Sequence, residues 1–317
     1  MRIPFGIPPS GSRPFDVVGF GLNSIDLVAV VAEHPPGNSK QRLQRFARLP
    51  GGQIATAMVT CARLGLRASY IGSFGDDELG DLSRISLTSE GVDISASRTV
   101  TGAATQFAII VVDARSGERT VLWDRDPALA MDPASLPHEA IKAARMAIVD
   151  CYETAAAAQV ARIARNAGIP TVSDIERVRP GIADLLQNLD AIIMAEEFPM
   201  AFTGHDEAGR ALQAIARDFD APLVCVTLGA DGSLARCQGR EIHTPGFAVD
   251  CVDTTGAGDA FRGAFAAACL QHPHDDVETV LSYANAVAAL NCRALGARGG
   301  LPRAGEVELL MSTRFQM

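Results

Sequence analysis

The chain has 317 residues, 48% hydrophobic and 21% charged, with a formal net charge of −9. That length implies about two domains, or one large α/β domain with an insertion, and a core that needs no disulfide or metal. The negative balance excludes nucleic acid and anionic membranes as partners, but not a small anion held locally by backbone amides. Seven cysteines show no CxxC spacing and mostly sit in apolar stretches. They read as buried free thiols of a reducing compartment, not as a disulfide framework or a zinc site. No apolar run approaches the roughly 18–20 residues of a membrane span, and the proline-broken start lacks the apolar core of a signal peptide. A cytoplasmic protein is expected.

In chain order, "DVVGFGLNSIDLVAVV" (16–31) predicts a strand, a glycine turn and a second extended run. "EHPPGNSKQRLQRFARLPGG" (33–52) is polar and turn-rich, an excursion from the core. "GGQIATAMVTCARLG" (51–65) has small and apolar residues at helical spacing and a glycine stop. "ASYIGSFGDDELG" predicts a strand, a turn and a helix start, and "TQFAIIVVDARSGERTVLW" (105–123) a hairpin around "DARSG". From about residue 140 short apolar strands alternate with amphipathic helices, which predicts a mostly parallel sheet covered on both faces. The early excursion and the hairpin are expected to pair into one small β subdomain over that sheet.

The chemistry concentrates in "CVDTTGAGDAFRGAFAAACL" (251–270). Gly256 and Gly258 permit backbone conformations that other residues resist, and they leave amides unobstructed. With a helix following, several N–H groups and the positive helix end converge on one point, which is a phosphate site in physical terms. Asp259, in the first turn, can take a proton from a hydroxyl beside that phosphate. The plainer alternative is that Asp259 caps the helix while Thr254 and Thr255 satisfy turn amides.

"VDTTGAGDAF" resembles the second signature of the ribokinase-like (PfkB) carbohydrate kinases, and the resemblance spans nearly the whole chain. "GLNSIDLVAVVAEHPPGNS" is similar to the family's first strand, "GGQIATAMVTCARLG" to its first signature, and "IGSFGDDELGD" to the segment that follows. "VTLGADGSL" resembles the nucleotide-side loop, and "YANAVAALNCRALGARGGLP" the last helix and the loop flanking adenine. The resemblance implies one α/β domain over 1–317, three-layered, with a mostly parallel central sheet and a small β-sheet lid from about 27–50 and about 98–126. It implies Asp259 as general base, with an anion hole at Gly256, Ala257 and Gly258. It places the sugar at Asp26, Gly51, Gly52 and Thr56, and the nucleotide at Thr227, Gly229, Gly232 and Asn285. ATP and Mg²⁺ are the implied cofactors, with Glu196 or Glu197 ordering metal-bound water. The partners implied are a small sugar, ATP and a second copy of the chain docked through the lid.

Three departures stand out. Thr56 replaces an Asn that helps hold the sugar in many members. The usual Asn-x-x-Glu stretch reads Ala195-Glu196-Glu197-Phe198. Gly300 replaces a Ser found in some members that bind a monovalent cation, which leaves potassium activation in question. Thr56, the hairpin and the paired acids are nearest to the ketohexokinase and sulfofructose-kinase branch.

The expected activity is transfer of the γ-phosphoryl of ATP to a primary hydroxyl of a ketose or related monosaccharide. A nucleoside kinase of the same fold and a catalytically silent sugar-binding or regulatory homologue are the alternatives. "GFGLNS" (19–24) lacks the third glycine of a dinucleotide fingerprint, and no P-loop motif is present. His272 and His274 read as an exposed loop, Trp123 as packed in or near the hairpin, and Arg125 as a solvated loop residue.

Overall fold

A computed structural model of the chain describes residues 1–116 and 118–314. Strand β1 (Phe15–Phe20) runs almost directly into β2 (Ser24–Val31), and β3 (Arg45–Gly51) follows the polar excursion. Then come α1 (Gln53–Arg63), β4 (Ala68–Ile71), β5 (Ser73–Gly75), α2 (Glu78–Thr88) and β6 (Arg98–Val100). The hairpin is β7 (Phe107–Asp113) and β8 (Arg119–Asp124), and its turn residue Gly117 lies outside the described residues. The strand–helix rhythm gives α3 (His138–Lys142), β9 (Ala144–Asp150), α4 (Thr154–Asn166), β10 (Thr171–Asp174) and α5 (Ile182–Leu186). It continues through β11 (Ala191–Ala195), α6 (Glu197–Thr203), α7 (Ala208–Phe219) and β12 (Leu223–Thr227). A second hairpin, β13 (Ser233–Cys237) and β14 (Arg240–Thr244), precedes α8 (Ala257–Gln271), α9 (Val277–Asn291) and α10 (Ala304–Arg314).

The main sheet has the order β14-β13-β12-β11-β10-β9-β1-β4, parallel from β12 to β4 and antiparallel at the β12-β13-β14 edge. Neighbouring residues of its strands face opposite layers, as the pleat demands. Val17, Ile148 and Ile193 pack with α1, α8 and α9, whereas Val18, Val149 and Ile192 pack with α4, α5 and α7. Helix α8 is buried from Ala260 to Leu270, apolar there except for Arg262, so it runs through the core. Its Phe261 and Phe265 are each 1% exposed, and truncating either to Ala costs about 3–5 kcal/mol.

The excursion and the first hairpin meet in a second sheet of order β3-β2-β7-β8. Residues 98–100, expected there, instead pair β6 with β5 in a separate ribbon. Register puts Asp26, Ala108 and Trp123 on one face, with the buried Val28 and Ile110 two residues on. Leu27, Ile109 and Leu122 occupy the opposite face, where Ile109 and Leu122 are exposed. Trp123 stands edge-on to Tyr152 at 5.8 Å between ring centroids.

Arg125 is not the solvated residue its loop position suggests. Its side chain is 6% exposed, pairs with Glu153 and lies over the Tyr152 ring at 5.4 Å. A buried guanidinium needs such a counter-charge to avoid a large desolvation cost.

Candidate active site

Asp26 begins the second sheet and is 6% exposed. Burial pushes its carboxyl up to about 6, against a hydrogen bond from Ser24 Oγ and the charge of Arg298. A Cβ on Gly51 would fall 2.4 Å from Asp26 Oδ2, and one on Gly52 (φ 88°) 2.4 Å from Asn23 Cα. The paired glycines therefore admit the carboxylate and the turn beneath it. Asn23 fixes that turn, donating to Tyr70 Oη at 2.8 Å and Ser73 O at 2.9 Å while accepting from Ser83 Oγ at 3.0 Å.

The second signature follows the same logic. Gly256 takes the left-handed conformation (φ 76°) as N-cap of α8, and a Cβ there would lie 2.3 Å from Ala297 O. The Ala257 amide turns back to Thr254 O at 3.2 Å, so Gly258 and Asp259 supply the forward-facing amides of the first turn. Asp253 ties the loop together, accepting from Thr255 N, Thr255 Oγ1 and Gly296 N. Asp259 keeps a half-exposed face toward the cleft. The packing behind it, and then the neighbouring Asp174, push its carboxyl well above the usual range, against the charges of Arg262 and Arg298.

Arg298 joins the two glycine turns, and sequence reasoning missed it. It is 5% exposed and donates from Nε to Thr56 Oγ1 at 3.2 Å, from Nη1 to Ser86 Oγ at 3.1 Å and from Nη2 to Gly51 O at 2.7 Å. Burial lowers its pKa to about 10 against the opposing pull of Asp26 and Asp259, so one guanidinium lies within electrostatic reach of both acids. Thr56, expected at the sugar, is wholly buried with its hydroxyl turned to Arg298. It holds the arginine, and is not itself open to the cleft. The signal for Arg298 lay in "GARGG", where an arginine sits between glycines in a loop that must pack against another.

In the loop expected to hold the nucleotide, Thr227 closes β12 and donates to Met194 O at 3.3 Å. Gly229 (φ 56°) and Gly232 (φ 90°) shape the turn after it, and a Cβ on Gly232 would lie 2.2 Å from Thr244 O. Asn285 is buried and donates from Nδ2 to Ser233 Oγ and Thr244 O, so it braces the wall of this loop. Glu196 and Glu197 lie exposed where β11 passes into α6, while Phe198, at the family's Glu position, is buried and stacks on Phe202 at 5.3 Å.

The residues present fit ATP with Mg²⁺. Open amides and two left-handed glycine turns suit phosphates, and no group of three or more metal-ligating side chains exists among the described residues. Mg²⁺ would therefore be carried on the phosphates with several waters, which Glu196 or Glu197 could order. A monovalent cation at the last loop fits poorly. Gly300 offers no side-chain oxygen, and a Cβ there would lie 2.3 Å from Asn291 O. The Asn291 amide meanwhile donates to Thr255 O at 3.2 Å and Ala297 O at 3.0 Å, so these two carbonyls of the loop already have a donor.

His272 and His274 are exposed, as their loop context implies. The cysteines are all free: Cys251 is exposed, Cys292 half-buried and the others buried. No helix among the described residues is long and apolar enough to cross a membrane.

Comparison with known proteins agrees with this geometry. Residues 15–304 match the model of the pfkB family carbohydrate kinases. The chain is 34% identical over 302 residues to the ATP-dependent ribose-1-phosphate kinase of Halopiger xanaduensis, covering 94% of this chain and 99% of the relative. It is 30% identical over 322 residues to fructokinase-1 of Oryza sativa subsp. japonica, covering 94% and 98%. The structure of Arabidopsis thaliana ribokinase complexed with ribose and ATP matches with a TM-score of 0.82 at 25% identity, covering 94% of this chain and 98% of that one. With a three-layer ribokinase-like fold and glycine turns at both signatures, the chain belongs to the pfkB family of carbohydrate kinases and is an ATP-dependent sugar kinase.

Proposed function

We propose that the enzyme transfers the γ-phosphoryl of ATP to a primary hydroxyl of a small monosaccharide held by Asp26 and the Gly51–Gly52 turn. Asp259 takes the hydroxyl proton as the oxygen attacks, and the amides of Gly258 and Asp259, set by the Gly256 turn, receive charge from the phosphoryl group, whereas the expected Ala257 amide is already held by Thr254 O. Such a transfer needs positioning and charge neutralisation more than covalent help. A carboxylate suffices as base because it need only accept the proton late in attack. The observation that carries the reading is Arg298, whose guanidinium donates to Gly51 O and Thr56 Oγ1 and so ties the last loop to the turn beneath Asp26.

The β3-β2-β7-β8 sheet would close over the sugar and exclude water that would otherwise consume ATP. Arg119 of β8 already reaches the second signature, donating to Thr254 Oγ1 at 2.8 Å. The outer face of this sheet carries Phe46, Ile109 and Leu122, exposed by 55%, 39% and 58%. β8 is an unpaired edge. A homodimer through that face would cover both.

ADP release across ribose 1-phosphate, fructose, ribose, sulfosugars, sugar acids and adenosine tests the acceptor. A monosaccharide or its phosphate is expected to dominate. Turnover of adenosine alone would make the enzyme a nucleoside kinase. No turnover with intact ATP binding would leave a silent homologue.

A further inference from the structure

Behind Asp259 lies a buried ion pair that the phosphoryl transfer does not itself require. Asp174 ends β10 in the middle of the main sheet and is 3% exposed. Arg262, one helical turn beyond Asp259 on α8, is 2% exposed and meets Asp174 Oδ1 through Nε at 3.1 Å. Its guanidinium folds back over the signature. A Cβ on Gly258 would lie 2.7 Å from Arg262 Nη1, so a glycine there admits the arginine.

The pair is incompletely bonded. Asp174 Oδ2 and Arg262 Nε and Nη2 have no hydrogen-bond partner despite their burial. Unsatisfied buried polar atoms are costly, and their persistence calls for a functional reason. The Asp174 charge also raises the Asp259 carboxyl, and Asp259 in turn lowers Asp174 against the effect of its burial. Two carboxyls that act on each other in this way, one of them buried, do not both ionise freely, and their titrations belong to the pair.

We infer that the Asp174–Arg262 pair is a positioning device for Asp259, anchoring its carboxyl and controlling when it carries a proton. Arg262 fixes the negative charge on Asp174. The like charge then drives the shared proton toward Asp259 in the free enzyme. The other charged groups facing Asp259 are Glu176, just beyond β10, which raises its proton affinity, and Arg298, which lowers it. Asp150, at the end of β9 beside Asp174, belongs to the same buried acidic row and is pushed up to about 7, chiefly by burial. Asp174 and Arg262 touch no reacting atom, so they act through Asp259.

This inference rests on Asp259 being the base, and the experiment keeps the two apart. The first measurement is the pH dependence of kcat/KM with the best acceptor, which reports the free enzyme's essential groups. Asp174→Asn removes the like charge, so the acid limb should fall by about one pH unit or more. An acid limb that stays in place while kcat drops would overturn the inference. The second measurement needs no change at Asp174. In enzyme labelled with ¹³C at aspartate carboxyls, Asp259→Asn deletes one titrating signal. By reciprocity it must lower the midpoint of another by as much as Asp174 raises Asp259. If no remaining midpoint moves, the inference fails; if Asp259→Asn keeps normal kcat, the base assignment fails instead.

Discussion

Arg298 donates through Nη2 to the carbonyl of Gly51 at 2.7 Å, a hydrogen bond between residues 247 positions apart. It welds the last loop to the turn that presents Asp26, and its fork also holds Thr56 and Ser86. Three directed bonds need a planar guanidinium, so Lys cannot substitute. Arg298→Met leaves Gly51 O without its donor and removes a positive charge that opposes the burial of Asp26. It should raise the sugar KM about tenfold or more and destabilise the protein by about 2–4 kcal/mol. Steady-state kinetics and denaturant unfolding measure both. A normal KM in Arg298→Lys would show that charge alone suffices.

Asp259→Asn should lower kcat by about 10³-fold while Mg²⁺·ATP affinity stays within a few-fold, because only the proton acceptor is lost. Calorimetric ATP binding beside single-turnover kinetics distinguishes this from a collapsed site. Loss of ATP affinity in proportion to kcat would point to damage in the amide cradle.

Stability should peak in acid, at about pH 4. Asp26 and Asp150 titrate near 6 and 7 in the folded chain, both raised by burial, so the native state binds more protons than the unfolded chain between about pH 4 and 7. Lowering the pH from 8 toward 5 therefore relieves buried charge and stabilises the fold. Asp16 works in the opposite sense. Its hydrogen bonds with Arg67 and Arg145 hold it down to about 2, so its contribution is present above the unfolded value near 4 and is lost as the pH falls toward 2. A Tm profile rising from pH 8 to about 4 and then dropping is expected. A monotonic rise toward alkaline pH would contradict it.

Potassium should have little effect. With the Asn291 amide already donating to Thr255 O and Ala297 O, turnover in K⁺, Na⁺ or tetramethylammonium at equal ionic strength should agree within about twofold. Asn291→Ala removes that brace beneath the Gly256 turn, and kcat should fall about tenfold, since a misplaced anion hole loses transition-state contacts. Strong stimulation of the parent enzyme by K⁺ would show that cations bind beside the amide.

Much of this was legible in the chain itself. Periodicity placed the parallel strands and α1, and the turn residues placed the β7–β8 hairpin. The glycine-acid spacing of 256–259 marked a glycine turn at a helix N-terminus before any fold was known. What sequence could not supply were partnerships made across the fold. Thr56 reads as a sugar contact until Arg298 is found against its hydroxyl, and Arg125 reads as solvated until Glu153 and Tyr152 enclose it. Residues 98–100 look like part of the second sheet, yet β5 takes them because it runs alongside. Each miss concerns a residue whose role is set by a distant neighbour, which local pattern does not encode.

The link between β1 and β2 has a mechanical consequence. Only residues 21–23 separate the central sheet from the second one, and Asn23 is bolted to Tyr70, Ser73 and Ser83. The ribbon that begins in the core thus pivots just before Asp26. Any tilt of the outer sheet would swing that carboxylate, so the acid proposed to hold the sugar and the sheet proposed to close over it share a single lever arm.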